Sequence, residues 1–118
     1  MKLQIPIYGG ELWLFKTKAE FLNAQEELGD TEEIKEHTLG DAWVIPHPDE
    51  KHGLVYLIGV YDNDLGTLIH ELSHTTLNIV ENAGFSAHEG NGEPFSYLIN
   101  YIFDNVYKWF VTELTEIN

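Results

Sequence analysis

The sequence contains no cysteine and no arginine. Without cysteine there is no disulfide framework and no thiolate metal site, so a bound metal would rest on histidine, carboxylate or backbone ligands. That directs attention to the six histidines. All six basic residues are lysines, and they stand against 20 acidic ones for a net charge of −14. Phosphate recognition calls for a basic surface and arginine forks, so direct nucleic-acid binding is not expected. The acidic excess is explained by a solvated, self-repelling surface, or by one that imitates nucleic acid and attracts a basic protein partner. Long apolar runs are also missing. The longest, such as LVYLIGVY, fall far short of the roughly 20 residues a membrane span needs, so no membrane partner is expected. The opening MKLQIPIYGG lacks the apolar stretch of a secretory signal, and the chain reads as cytosolic.

What is present is an ordinary globular composition, 43% hydrophobic and 13% aromatic over 118 residues. This predicts a single domain spanning residues 1–118. Residues 2–8 are β-like up to the Gly9-Gly10 turn, and ELWLF follows as a second strand. Thr17 and Glu20 form a capping-box pattern for a helix with Phe21, Ala24 and Leu28 on one face, stopped by Gly29. The acidic DTEEIKEHTLGD reads as an exposed loop or short helical turn. AWVIPH and GLVYLIGVY, joined by PDEKHG, predict a hairpin.

Asp62, Asn63 and Asp64 are candidate N-caps for a helix running to about Asn82. Its predicted buried arc is Leu65, Leu68, Ile69, Leu72, Ile79, Val80 and Ala83. A last helix, from about Pro94 to Thr112, places Phe95, Leu98, Ile99, Ile102, Phe103, Val106, Trp109 and Phe110 on its buried arc. The class is α+β: a small mixed or antiparallel sheet of about four strands, a backing helix and two further helices.

On the first of those helices stands His70-Glu71-Leu72-Ser73-His74, an HExxH pattern. Residues four apart lie one turn apart on one helix face, so both imidazoles can converge on one cation with Glu71 beside them. The wheel places His70, Glu71, His74 and Asn78 on the polar arc. A catalytic zinc normally has three protein ligands plus water. Leu77 and Val80 stand where HExxHxxGxxH requires its glycine and third histidine, which excludes that class. Eighteen residues separate His74 from Glu93, at the start of the last helix, whose polar stripe continues through Tyr97, Asn100 and Asp104.

HELSH followed by NGEPFSYLINYIF resembles the gluzincin arrangement of HExxH plus a downstream glutamate helix. The order of elements is most similar to the minigluzincins, and IGVYDND with LIHELSH and EPFSYL is similar to small metallopeptidases of tailed phages. The resemblance covers about residues 40–110. It implies a zinc-dependent peptidase acting on a peptide or protein substrate, in the host cytoplasm if phage-encoded. His70, His74 and Glu93 would hold Zn²⁺ and Glu71 would be the general base. Two departures stand out: Tyr97 occupies the position where thermolysin-like members carry an aspartate, and the usual arginine is absent. His88, in the loop before the glutamate helix, is the alternative third ligand. His88, Tyr97 and Tyr101 are candidate donors to a developing oxyanion, and Asn78, Asn100 and Asp104 candidate partners of the ligand imidazoles. An extended substrate would pair with a sheet edge, with the strand ending near Tyr61 as the candidate. The competing expectations are a latent or non-catalytic zinc protein, and an acidic interaction module with an incidental HExxH.

Overall fold

The computed structural model describes residues 1–30 and 38–117. Its elements are β1 (Lys2–Gln4), β2 (Glu11–Phe15), α1 (Lys18–Glu27), β3 (Gly40–Pro46), β4 (Leu54–Val60), α2 (Leu65–Asn82) and α3 (Glu93–Ile117). Short 3-10 turns lie at Glu50–His52 and Glu89–Gly92. The four strands form one mixed sheet in the order β1-β2-β4-β3, with β2 and β4 parallel and the other two pairs antiparallel. The class is α+β.

Alternation along the strands divides the core into two layers. Leu12, Leu14, Tyr56, Ile58 and Val60 face α2 and α3, where they meet Leu68, Leu72, Ile79, Val80, Leu98, Ile102, Val106 and Phe110. Trp13, Val55 and Leu57 face the other way, onto Phe21, Ala24 and Leu28 of α1. β4 is covered on both sides, which is why its sequence is almost uninterruptedly apolar. Burying each such Leu, Ile or Val stabilises the fold by roughly 1.5–3 kcal/mol.

Local signals place most element boundaries. Thr17 Oγ1 accepts from the Glu20 amide at 3.2 Å, and Asp64 Oδ1 accepts from the Gly66 amide at 2.6 Å. Gly29 and Gly84 take positive φ just after α1 and α2, the conformation glycine adopts most cheaply.

Several expectations need correction. The first strand stops at Gln4 instead of reaching residue 8, because Pro6 offers no N–H and a tight turn follows, the Tyr8 amide donating to the Pro6 carbonyl at 2.7 Å. Ile7, at the centre of that turn, has φ of 69° and is 96% exposed. α3 begins at Glu93 and extends to Ile117, past the expected Thr112. On α2, Leu65, Ile69 and Ala83 are exposed, whereas Glu71, Thr75 and Thr76 are buried. The buried arc is rotated toward Glu71 because α2 packs against β3 and β4 as well as α3. β4, expected as the pairing edge, is interior, and the edge strand beside α2 is β3. Most of the acidic stretch expected as a loop, residues 31–37, lies outside the described residues. Among those described, no helix is long and apolar enough to cross a membrane.

Candidate metal centre

α2 presents His70 and His74 one turn apart on its solvent side, with their Nε2 atoms 3.2 Å apart and their rings nearly perpendicular at 84°. Two nitrogens bound to one tetrahedral zinc, each at about 2.0–2.1 Å, lie about 3.3 Å from one another. The separation therefore fits a shared cation, and it equally fits a hydrogen bond from one ring's Nε2–H to the other's lone pair. Neither Nδ1 makes a hydrogen bond among the described residues. Asn78, Asn100 and Asp104 do not serve as imidazole partners here.

Glu71 is the unusual member. Only 7% of it is exposed, although it follows an exposed histidine. Its carboxylate makes no hydrogen bond among the described residues, and His70 Nε2 lies 3.9 Å from its Oε1. Burial pushes its pKa above the ordinary carboxylate range, nearby His70 and His74 oppose the rise, and Asp41 adds to it. Gly40 of β3 makes the burial possible. A Cβ there would meet Gly59 O at 2.8 Å, Thr67 Cγ2 at 2.9 Å and Glu71 Cγ at 3.2 Å, so only glycine lets α2 approach the edge strand this closely.

Behind Gly40 lies a polar cluster. Asp41 accepts from the Tyr61 hydroxyl at 2.9 Å and the Thr38 hydroxyl at 3.1 Å, and Lys18 Nζ donates to Thr38 Oγ1 at 3.2 Å. Burial, and then the bond to Asp41, raise the Tyr61 pKa far above its usual value.

His70 borders two cavities. One, of about 570 Å³, is shared with Glu71, Gly40, Thr38, Asp64 and Thr67. The other, of about 360 Å³, is walled by His74, Leu77, Ala87 and Phe95. Ala87 and Phe95 flank the segment carrying His88 and Glu93, so that segment faces the histidine pair across the smaller cavity. It does not complete a site: among the described residues, no three His, Cys, Asp or Glu side chains gather closely enough to hold a metal. Both Glu93 and His88 are exposed. Tyr97 is 72% and Tyr101 39% exposed, and neither lines a cavity bordered by His70.

The sequence reading missed Gly40, Asp41, Asp64 and Thr67 as neighbours of Glu71. Asp64 and Thr67 were within reach of it, lying seven and four positions before Glu71 on one helix, but Gly40 and Asp41 come from a strand with no local link to α2. A comparison with known proteins adds no relative: no family model matches the chain, and no curated protein or solved structure is significantly similar to it.

Proposed function

We propose that this chain is a zinc-dependent peptidase whose histidine pair holds the metal and whose Glu71 moves the proton. One observation carries the reading: Glu71, drawn back into the fold and given no protein hydrogen-bond donor among the described residues, keeps its carboxylate open to water beside two imidazoles spaced for one cation. A carboxylate held in the fold, uncommitted to protein donors and reached by solvent, is placed as a base that takes a proton from water must be. Zinc, when bound, lowers the pKa of a water to about 7 and polarises a carbonyl.

Glu71 accepts one proton from the attacking water as the water oxygen adds to the scissile carbonyl carbon. It returns that proton to the amine nitrogen as the C–N bond breaks, so no net proton is gained or lost by the protein. His70 and His74 would hold the metal; Glu93, across the smaller cavity and not gathered with them in this structure, would be the third ligand. β3 supports this reading as well. No described strand pairs with its outer edge, and it packs against Glu71 at Gly40, so an extended peptide pairing there would lie alongside the base.

The test is Glu71→Gln in the zinc-loaded protein. Zinc content should persist at one equivalent while cleavage of a peptide mixture falls on the order of 10²–10⁴-fold. Equal cleavage by both proteins would defeat the mechanism. A second reading, zinc binding without turnover, draws on the absence of a gathered third ligand. It predicts that the wild-type protein takes up zinc and cuts no peptide in the mixture.

A further inference from the structure

The two cavities that meet at His70 differ in chemistry. The smaller one, beyond the two histidines and Ser73, is walled by Leu77, Ala87 and Phe95. The larger is bordered by the acidic residues Asp64 and Glu71, and none of the described residues lining it is a lysine. Asp64 commits Oδ1 to the Gly66 amide at the start of α2, and its other oxygen makes no bond among the described residues. Asp62 stands behind it, accepting from the Thr67 hydroxyl at 2.7 Å. Among the described residues, Lys18 donates to the Thr38 hydroxyl and lies 4.0 Å from Asp41 Oδ2, whose charge it offsets. Asp62, Asp64 and Glu71 pair with no lysine among the described residues. The Glu71 side chain is nine-tenths buried and lines this cavity, and its carboxylate, reached by solvent, has no hydrogen-bond donor among the described residues. Gly40, Gly66 and Leu39 supply a wall that can take an aliphatic stem.

We propose that the cavity on the Glu71 side of His70 receives a lysine or arginine side chain of the bound peptide. The inference rests on the peptidase reading and names its substrate class: a peptide that is basic at a residue adjoining the scissile bond. A long apolar stem ending in a cation matches a cavity with aliphatic and glycine walls and carboxylates at its border. The overall charge of −14 would raise the encounter rate of such peptides at low ionic strength.

The experiment uses the full chain loaded with one equivalent of zinc. Its probes are peptide hydroxamates differing only in lysine or norleucine next to the metal-binding group, made with that residue on either side. Calorimetry is read at roughly 50 mM and roughly 500 mM salt. In one of the two positions, the lysine compound should bind about tenfold more tightly at low salt, and the preference should shrink at high salt. Asp64→Asn keeps an N-cap oxygen, because asparagine caps as well as aspartate, and should cut the preference to under about threefold while the norleucine compound binds as before. Equal binding of lysine and norleucine compounds by the zinc-loaded wild type overturns this inference and leaves the peptidase reading standing. So does a lysine preference that Asp64→Asn does not reduce. Failure to retain zinc or to bind any hydroxamate overturns both.

Discussion

Two histidine pairs lie among the described residues, and they are built in opposite ways. His70 and His74 stand on one helix with their Nε2 atoms 3.2 Å apart and their Nδ1 atoms free of described hydrogen bonds. His47 and His52 flank the β3–β4 turn with their rings stacked, centroids 4.4 Å apart at 30°. There the nitrogens are engaged locally. His47 Nδ1 accepts from the Asp49 amide at 2.9 Å, while His52 Nδ1 lies 3.1 Å from Glu11 Oε1 and its Nε2 3.8 Å from Asp49 Oδ2. Proximity of two imidazoles is therefore not what makes a metal site. A shared cation would need nitrogens that converge with no other partner, and helical i,i+4 spacing brings two together where a turn supplies stacking instead.

That comparison breaks most visibly through metal content. His74→Ala should weaken zinc binding by more than about 100-fold, beyond the usual effect of losing only an outer partner of a ligand. The double variant His47→Ala, His52→Ala should retain one equivalent by atomic absorption. Zinc lost from the turn variant and kept by the helix variant would reverse the assignment.

Next in size is the third ligand. Glu93→Gln should lower zinc affinity at least about tenfold, whereas His88→Ala should leave it nearly unchanged, both read by competition with a chelator. The opposite ranking would move the ligand into the loop.

Smaller effects concern stability. Because burial raises the Glu71 pKa, the metal-free folded state holds that proton more readily than the unfolded chain does. Stability then falls as pH rises from the unfolded pKa, about 4.5, through the higher folded one. Glu71→Gln should remove this pH slope and stabilise the metal-free protein at pH 7 on the order of 1 kcal/mol, measured by urea unfolding. A destabilised variant would mean that the carboxylate has a partner. Glu11, at the turn pair, shows the reverse sign. The Gln4 side chain, against the cost of burial and with help from His52 and Trp13, holds its pKa below the usual range. It contributes stability above the unfolded pKa that is lost as pH falls through the folded one. At this partly buried position Glu11→Gln should cost on the order of 0.5–1 kcal/mol at pH 7, shrinking as pH falls below the unfolded value.

Much of the scaffold was legible because its signals are local. ELWLF is β2 residue for residue, Asp64 is one of the three caps considered, and the α2 end before Gly84 follows from a residue that tolerates positive φ. The HExxH spacing likewise specifies which atoms can meet, since a helix turn sets their distance with no help from the rest of the chain. The burial of Glu71 was not legible. A helical wheel ranks residues by hydrophobicity and placed it on the wet side, but the close approach of Gly40 covers it from a strand 31 positions earlier.

The sequence by itself determined the α+β class, the element order, the pairing of His70 with His74 and the excess negative charge, because each depends on composition or on spacing within one element. Only the tertiary structure decided that β3, and not β4, is the edge beside α2, that Ile69 is exposed while Thr75 and Thr76 are covered, and that one imidazole divides an acid-bordered cavity from an apolar one. The reason is physical. Periodicity tells a helix or strand which of its faces is apolar, but which neighbour covers that face is settled by non-local packing. A parallel β2–β4 pair with a hairpin partner added outside it leaves β3 at the rim, where α2 lays its HExxH turn.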